Sequence, residues 1–109
     1  MLLNVLDGNG NSQKIISFGQ EAVSDRSGSI TVTAVAQVMM AANLLRSGFF
    51  IQNTGSSVIY LNDVGTATTG IGSFAILPNS SFPPHNYPVT TGTISILGTT
   101  GNIYTAREW

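Results

Sequence analysis

The segment Gly48-Phe-Phe-Ile-Gln-Asn-Thr-Gly-Ser-Ser-Val-Ile-Tyr-Leu-Asn62 decides the fold class. Two runs of β-branched and aromatic residues, 48–52 and 58–62, flank a connector of Asn, Thr, Gly and Ser. The runs favour extended backbone and the connector favours a turn. The segment reads as a β-hairpin and predicts the best-defined ribbon of the molecule.

The same rhythm continues on both sides. Residues 74–77, 93–97 and 103–107 are further apolar runs bounded by turn residues. Upstream, Ile30, Val32, Ala34, Ala36 and Val38 alternate with Ser29, Thr31, Thr33, Val35 and Gln37, the period of a half-buried strand. A helix competes over 34–45, because Val35, Val38, Met39 and Ala42 share a helical spacing. Unbroken alternation from Ser29 favours a strand to Val38, followed by a turn or one short helical turn within 39–45. Residues 13–18 read as another strand. Residues 2–6 form an apolar arm closed by Asp7-Gly-Asn-Gly-Asn11, and 19–28 form an exposed loop carrying Glu21, Asp25 and Arg26.

Turn signals spaced about 8–12 residues apart indicate an all-β antiparallel sandwich, jelly-roll-like. We expect one such domain over 13–109, preceded by an arm and turn over 1–12. Residues 80–88 hold three of the four prolines and should form an extended loop. Phe82, His85 and Tyr87 in that loop either present a contact surface or close the open end of the sandwich.

With 109 residues the chain has room for one core. Only 8% of it is charged, where about 25% is usual. Ser, Thr, Asn, Gln and Gly fill 49 of the 109 positions and take over the work of solubility. A net charge of −1 offers no basic field, which argues against nucleic acid as a partner. The absence of cysteine removes disulfides, thiolate nucleophiles and Cys-ligated metals. No apolar run approaches the roughly 20 residues of a membrane span, and the stretch 34–45 is interrupted by Gln37 and Asn43. The opening residues lack the pattern of a signal peptide, so the expectation is a soluble chain not exported by the general route. A surface this poor in charge also points to neighbours that cover it, hence a homo-oligomer or an assembly component. A monomer solubilised by its hydroxyl groups is the alternative.

The search for chemistry finds no enzyme. His85 is the only histidine, and no Gly-x-Ser-x-Gly nucleophile elbow accompanies it. Scattered carboxylates offer neither a metal spacing nor a paired acid and base. Asp7-Gly-Asn-Gly-Asn-Ser12 begins like a calcium loop, but Ser12 stands at the sixth position and Phe18 at the twelfth, where Gly and Glu belong. Gly70-Ile-Gly-Ser-Phe-Ala75 matches a dinucleotide pattern as a string only, because it leads into an apolar strand and not a helix. No catalytic, cofactor or metal site is expected.

Ala36-Gln-x-x-x-Ala-Ala-Asn-x-x-Arg-x-Gly-Phe-x-Ile-Gln-Asn-Thr54, followed by Ile59-Tyr-Leu-Asn62 and Gly65, resembles small virion proteins of tailed bacteriophages. Leu77-Pro-Asn-Ser-Ser81, Thr90-Thr-Gly-Thr-Ile-Ser-Ile96 and Arg107-Glu-Trp109 are similar to their closing pattern, and Val5-Leu-Asp-Gly-Asn-Gly-Asn11 to the openings of phage decoration and fibre-base proteins. In the Pro-Gly turn, Asn79 stands where such proteins carry Gly. The resemblance implies a β-sandwich made in the bacterial cytoplasm and bound to the capsid exterior of the virion. Its partner would be the major capsid protein, which it would cement, or a tail, neck or fibre protein in the alternative placement. The expected contacts are Leu2, Leu3 and Val5 in the arm, Phe82, His85 and Tyr87 in the proline loop, and Trp109. The arm and Trp109 either dock onto a neighbour or tuck into the subunit's own sheets. A reading from another class is a carbohydrate-binding sandwich using Trp109, Tyr87 and Asn or Asp side chains.

Overall fold

The computed structural model describes residues 22–109 in full and, before them, only the backbone of two strands, Leu2–Leu6 (β1) and Ser12–Ser17 (β2). These two pair antiparallel, with a register shift between Leu3 and Asn4, as a two-stranded sheet of their own. The connecting turn and the calcium-like string within it lie outside the described residues.

The remaining strands are Ser24–Asp25 (β3), Gly28–Ser29 (β4), Gln37–Met40 (β5), Phe49–Asn53 (β6), Ile59–Asn62 (β7), Phe74–Ile76 (β8), Ser81–Phe82 (β9), Ile94–Leu97 (β10) and Ile103–Glu108 (β11). They build two antiparallel sheets packed face to face, the sandwich expected. One has the order β5-β10-β7-β8; the other runs β3-β11-β6-β9, with β4 also pairing β11. Alternation along each strand turns one set of side chains inward. Phe49, Ile51, Tyr104 and Ala106 from one sheet meet Ile59, Leu61, Ile94 and Ile96 from the other, and all are buried. Each large apolar side chain so buried contributes about 1.5–3 kcal/mol. Met39 and Met40 are both buried because β5 bulges: Met40 pairs Ile94 and Val38 pairs Ser95, so Met39 is the extra residue.

Three expectations are corrected. The runs around residues 53–57 are not a hairpin, since β6 pairs β11 and β9 whereas β7 pairs β10 and β8. The connector crosses between the sheets, and buried amides hold it. Asn53 Nδ2 donates to Ser57 O (2.6 Å) and Ile76 O (2.8 Å), while Asn102 Nδ2 donates to Asn53 Oδ1 (3.0 Å) and Asn102 Oδ1 accepts from Ser57 N (2.9 Å). Asn102 occupies the space a side chain at residue 55 would need, which is why Gly stands there.

Residues 29–38 are not one strand. β4 ends at Ser29 beside β11, Ile30 plugs the core with its N–H on Asn102 O, and Ala34 turns the chain at φ 61° before β5 joins β10. Alternation is blind to a strand that changes sheets, so Val32 and Ala34 stand exposed where burial was expected. The chain after Met40 forms a turn and no helix. In the proline-rich segment, Ser81–Phe82 is a short edge strand on β6, ahead of the prolines that end it.

Candidate functional site

The charged side chains among the described residues are engaged within the subunit, three of them buried. Residues 22–109 carry six charged side chains, Asp25, Arg26, Arg46, Asp63, Arg107 and Glu108, and each is bonded within the molecule. Glu108, 2% exposed at the end of β11, accepts from Arg26 Nε (2.6 Å), Arg46 Nε (3.1 Å) and Asn43 Nδ2 (3.0 Å). Burial alone would raise its pKa; the hydrogen bonds from Asn43, Arg26 and Arg46 and the Arg46 charge outweigh that and hold it below the ordinary range. Arg46 in turn donates to Thr90 O, Gly92 O and Ala41 O. One guanidinium thereby ties the loop after β5 to the loop before β10. Arg107 bridges Asp25 at 2.7 Å on the surface, where such pairs contribute about 0–1 kcal/mol.

The outside is apolar by contrast. Val23, Val32, Val35, Val38, Leu44, Leu45, Val64, Ile71, Leu77 and Ile103 are each more than half exposed. Single exposed apolar residues are ordinary; this many on 88 residues with only six charged side chains are not.

The residues singled out from the sequence are not brought together. Phe82 is 5% exposed and belongs to the core, with Phe74 at 4.8 Å and Tyr87 at 5.0 Å between ring centroids. Tyr87 is half-buried and donates its hydroxyl to Asp63 Oδ2 at 2.8 Å; burial first, then Asp63, raises its pKa. These two rings therefore close the end of the sandwich. His85, on the same loop, is exposed and makes no hydrogen bond among the described residues. Trp109 packs within its own subunit: its N–H donates to Gly48 O (3.0 Å), its carbonyl accepts from Gly48 N (3.1 Å), and its indole covers Gly48. It stays 37% exposed. The side chains of Leu2, Leu3 and Val5 lie outside the described residues.

No family model, characterised protein or solved structure matches the chain. Its function rests on its own geometry. Among the described residues no group of His, Asp and Glu is placed to hold a metal ion, and no helix is long and apolar enough to cross a membrane.

Sequence reasoning missed a groove of about 530 Å³ on the outer face of the β5-β10-β7-β8 sheet. It is lined by Val38 of β5, Ser95 of β10, the loop of Asp63, Val64 and Thr66 after β7, and Thr93 before β10. The one signal for it was the string Asn62-Asp-Val-Gly-Thr66, whose Asn at the strand end marks a side-chain-stabilised turn.

Proposed function

We propose that this chain is a non-catalytic structural subunit of a tailed-phage virion, a decoration protein that binds the outer head surface and cements the joints between capsid subunits. The observation that carries the reading is the charge distribution. Every charged side chain among the described residues is bonded within the subunit, three of them (Arg46, Asp63 and Glu108) buried, and much of the remaining surface is apolar or hydroxyl-bearing. Such a surface suits permanent contact with another uncharged surface, because apolar and neutral hydrogen-bonded contacts survive dilution and salt better than exposed ion pairs. The sequence resemblance supplies the kind of assembly. A protein that binds only the assembled shell stabilises it by mass action.

The test is to mix purified protein with heads of the encoding phage that lack it, and to sediment them. Co-sedimentation at saturating stoichiometry, with a raised head melting temperature, is expected. Heads that pellet bare and melt unchanged would overturn the reading, and label confined to a single vertex would move the protein to the tail or neck.

A further inference from the structure

We propose that the groove over β5, β10 and the loop after β7 is a binding site for a neutral, polyhydroxylated ligand of saccharide size, independent of the assembly role. Its volume, about 530 Å³, falls inside the 300–1,000 Å³ typical of small-molecule sites.

Both walls are preformed. On one side, Asn62 accepts from Val64 N (2.9 Å) and donates to Thr66 O (3.2 Å), while Ser95 Oγ, buried beneath, accepts from Ala67 N (3.0 Å). On the other, the wholly buried Arg46 side chain holds the carbonyls of Thr90 and Gly92 at 2.9 and 2.8 Å. Three buried polar side chains thus fix two loops that face each other across open space. Rigid walls lower the ordering cost of binding.

The lining selects the ligand class. The Asp63 carboxylate accepts hydrogen bonds, and the hydroxyls of Thr66 and Thr93, which make none among the described residues, can donate or accept. Val38 and Val64, 61% and 85% exposed, offer apolar surface to the C–H face of a sugar ring. Gln37 is occupied elsewhere, accepting from Thr31 N and donating to Ser29 O. No cation lines the groove, so phosphate and carboxylate ligands would meet Asp63 without compensation.

The full chain, labelled with nitrogen-15, is titrated with a panel of neutral mono- to tetrasaccharides while amide shifts are followed. We expect saturable shifts centred on Val38, Val64, Thr66 and Thr93 from at least one member of the panel. Thr66→Val and Thr93→Val keep the side-chain shape, and each should weaken that binding about fivefold, one hydrogen bond's worth, with melting temperature unchanged. No saturable shift from any saccharide, shifts outside the groove, or equal affinity in both valine variants would overturn the proposal. Saturation by an uncharged peptide and by no saccharide would overturn it in favour of protein docking. Head co-sedimentation of the same variants reads the assembly role separately.

Discussion

Arg46 and Glu108 form an ion pair at 3.1 Å with side chains 0% and 2% exposed. Two charges so far from water carry a large desolvation cost, which is offset only because the remaining donors and acceptors also find partners. Removing one partner leaves the other buried and uncompensated. Glu108→Gln leaves the wholly buried Arg46 without its counter-charge, and we expect a loss of about 3–5 kcal/mol in urea unfolding. The double variant Arg46→Met/Glu108→Leu should lose clearly less than the sum of its single changes; additive losses would show that the pair is not coupled.

The same carboxylate sets the acid limit. Because the folded-state pKa of Glu108 lies below its ordinary value of 4.5, its stabilisation is complete above that value and lost as pH falls through the folded pKa. Melting temperature should therefore hold near neutrality and drop below about pH 4.5. Asp25 is lowered too, by hydrogen bonds from Ser27 and by Arg107, but it stands in solvent and adds little. In Glu108→Gln the acid limb should be visibly flatter. An unchanged limb would assign acid sensitivity to another group.

The crossover between β6 and β7 depends on Asn53 and Asn102. Asn53→Ala removes both donors on the carbonyls of Ser57 and Ile76 and the acceptor for Asn102. Each buried group left unpaired costs about 1–3 kcal/mol, so the variant should be among the most damaging single changes outside the apolar core. Asn53→Asp tests the direction of the bonds. It keeps the shape but cannot donate to two carbonyls, and thermal melting should show it at least as unstable as the alanine form.

These two amides also show why part of the fold was legible in the sequence and part was not. Local pattern placed β6, β7, β8, β10 and β11 within a residue or two, since each alternates or is apolar throughout. It could not say which strands pair. The Asn53 to Ser57 connector has hairpin composition, yet its Asn is there to bond across the sheets and its Gly to admit Asn102, 47 residues downstream of Gly55. Phe82 and Tyr87 were visible as aromatics in a loop, and only their packing against Phe74 and Phe49 shows that they close the core. The groove was hidden because its walls are joined by Arg46 and Ser95, residues unremarkable in one dimension.

Gly48 and the only tryptophan of the chain report on how firmly Trp109 is held. A Cβ on Gly48 would stand 2.5 Å from Trp109 Cε2 and Cζ2, too close for contact. The indole is already partly exposed and can swing outward, so Gly48→Ala should cost only about 1 kcal/mol, the low end of overpacking. Tryptophan emission should shift to longer wavelength as the ring meets water. Unchanged emission would show that the ring does not leave its place over Gly48.

Salt dependence separates this surface from an ordinary one. Exposed charges at an interface lose most of their attraction once ionic strength reaches about 1 M, where the screening length is about 3 Å. Among described residues 22–109 every arginine is already paired within the subunit and the one unpaired carboxylate, Asp63, is buried, so association has little electrostatic attraction to lose. We therefore expect self-association or head binding, measured by sedimentation equilibrium, to change by less than about threefold between 0.05 and 1 M sodium chloride. Sulfate at equal ionic strength should tighten it, because excluded salts favour apolar burial. A steep weakening in sodium chloride would place the contact on charged side chains, either the surface residues Asp25, Arg26 and Arg107 or the three charges that precede residue 22, Asp7, Lys14 and Glu21.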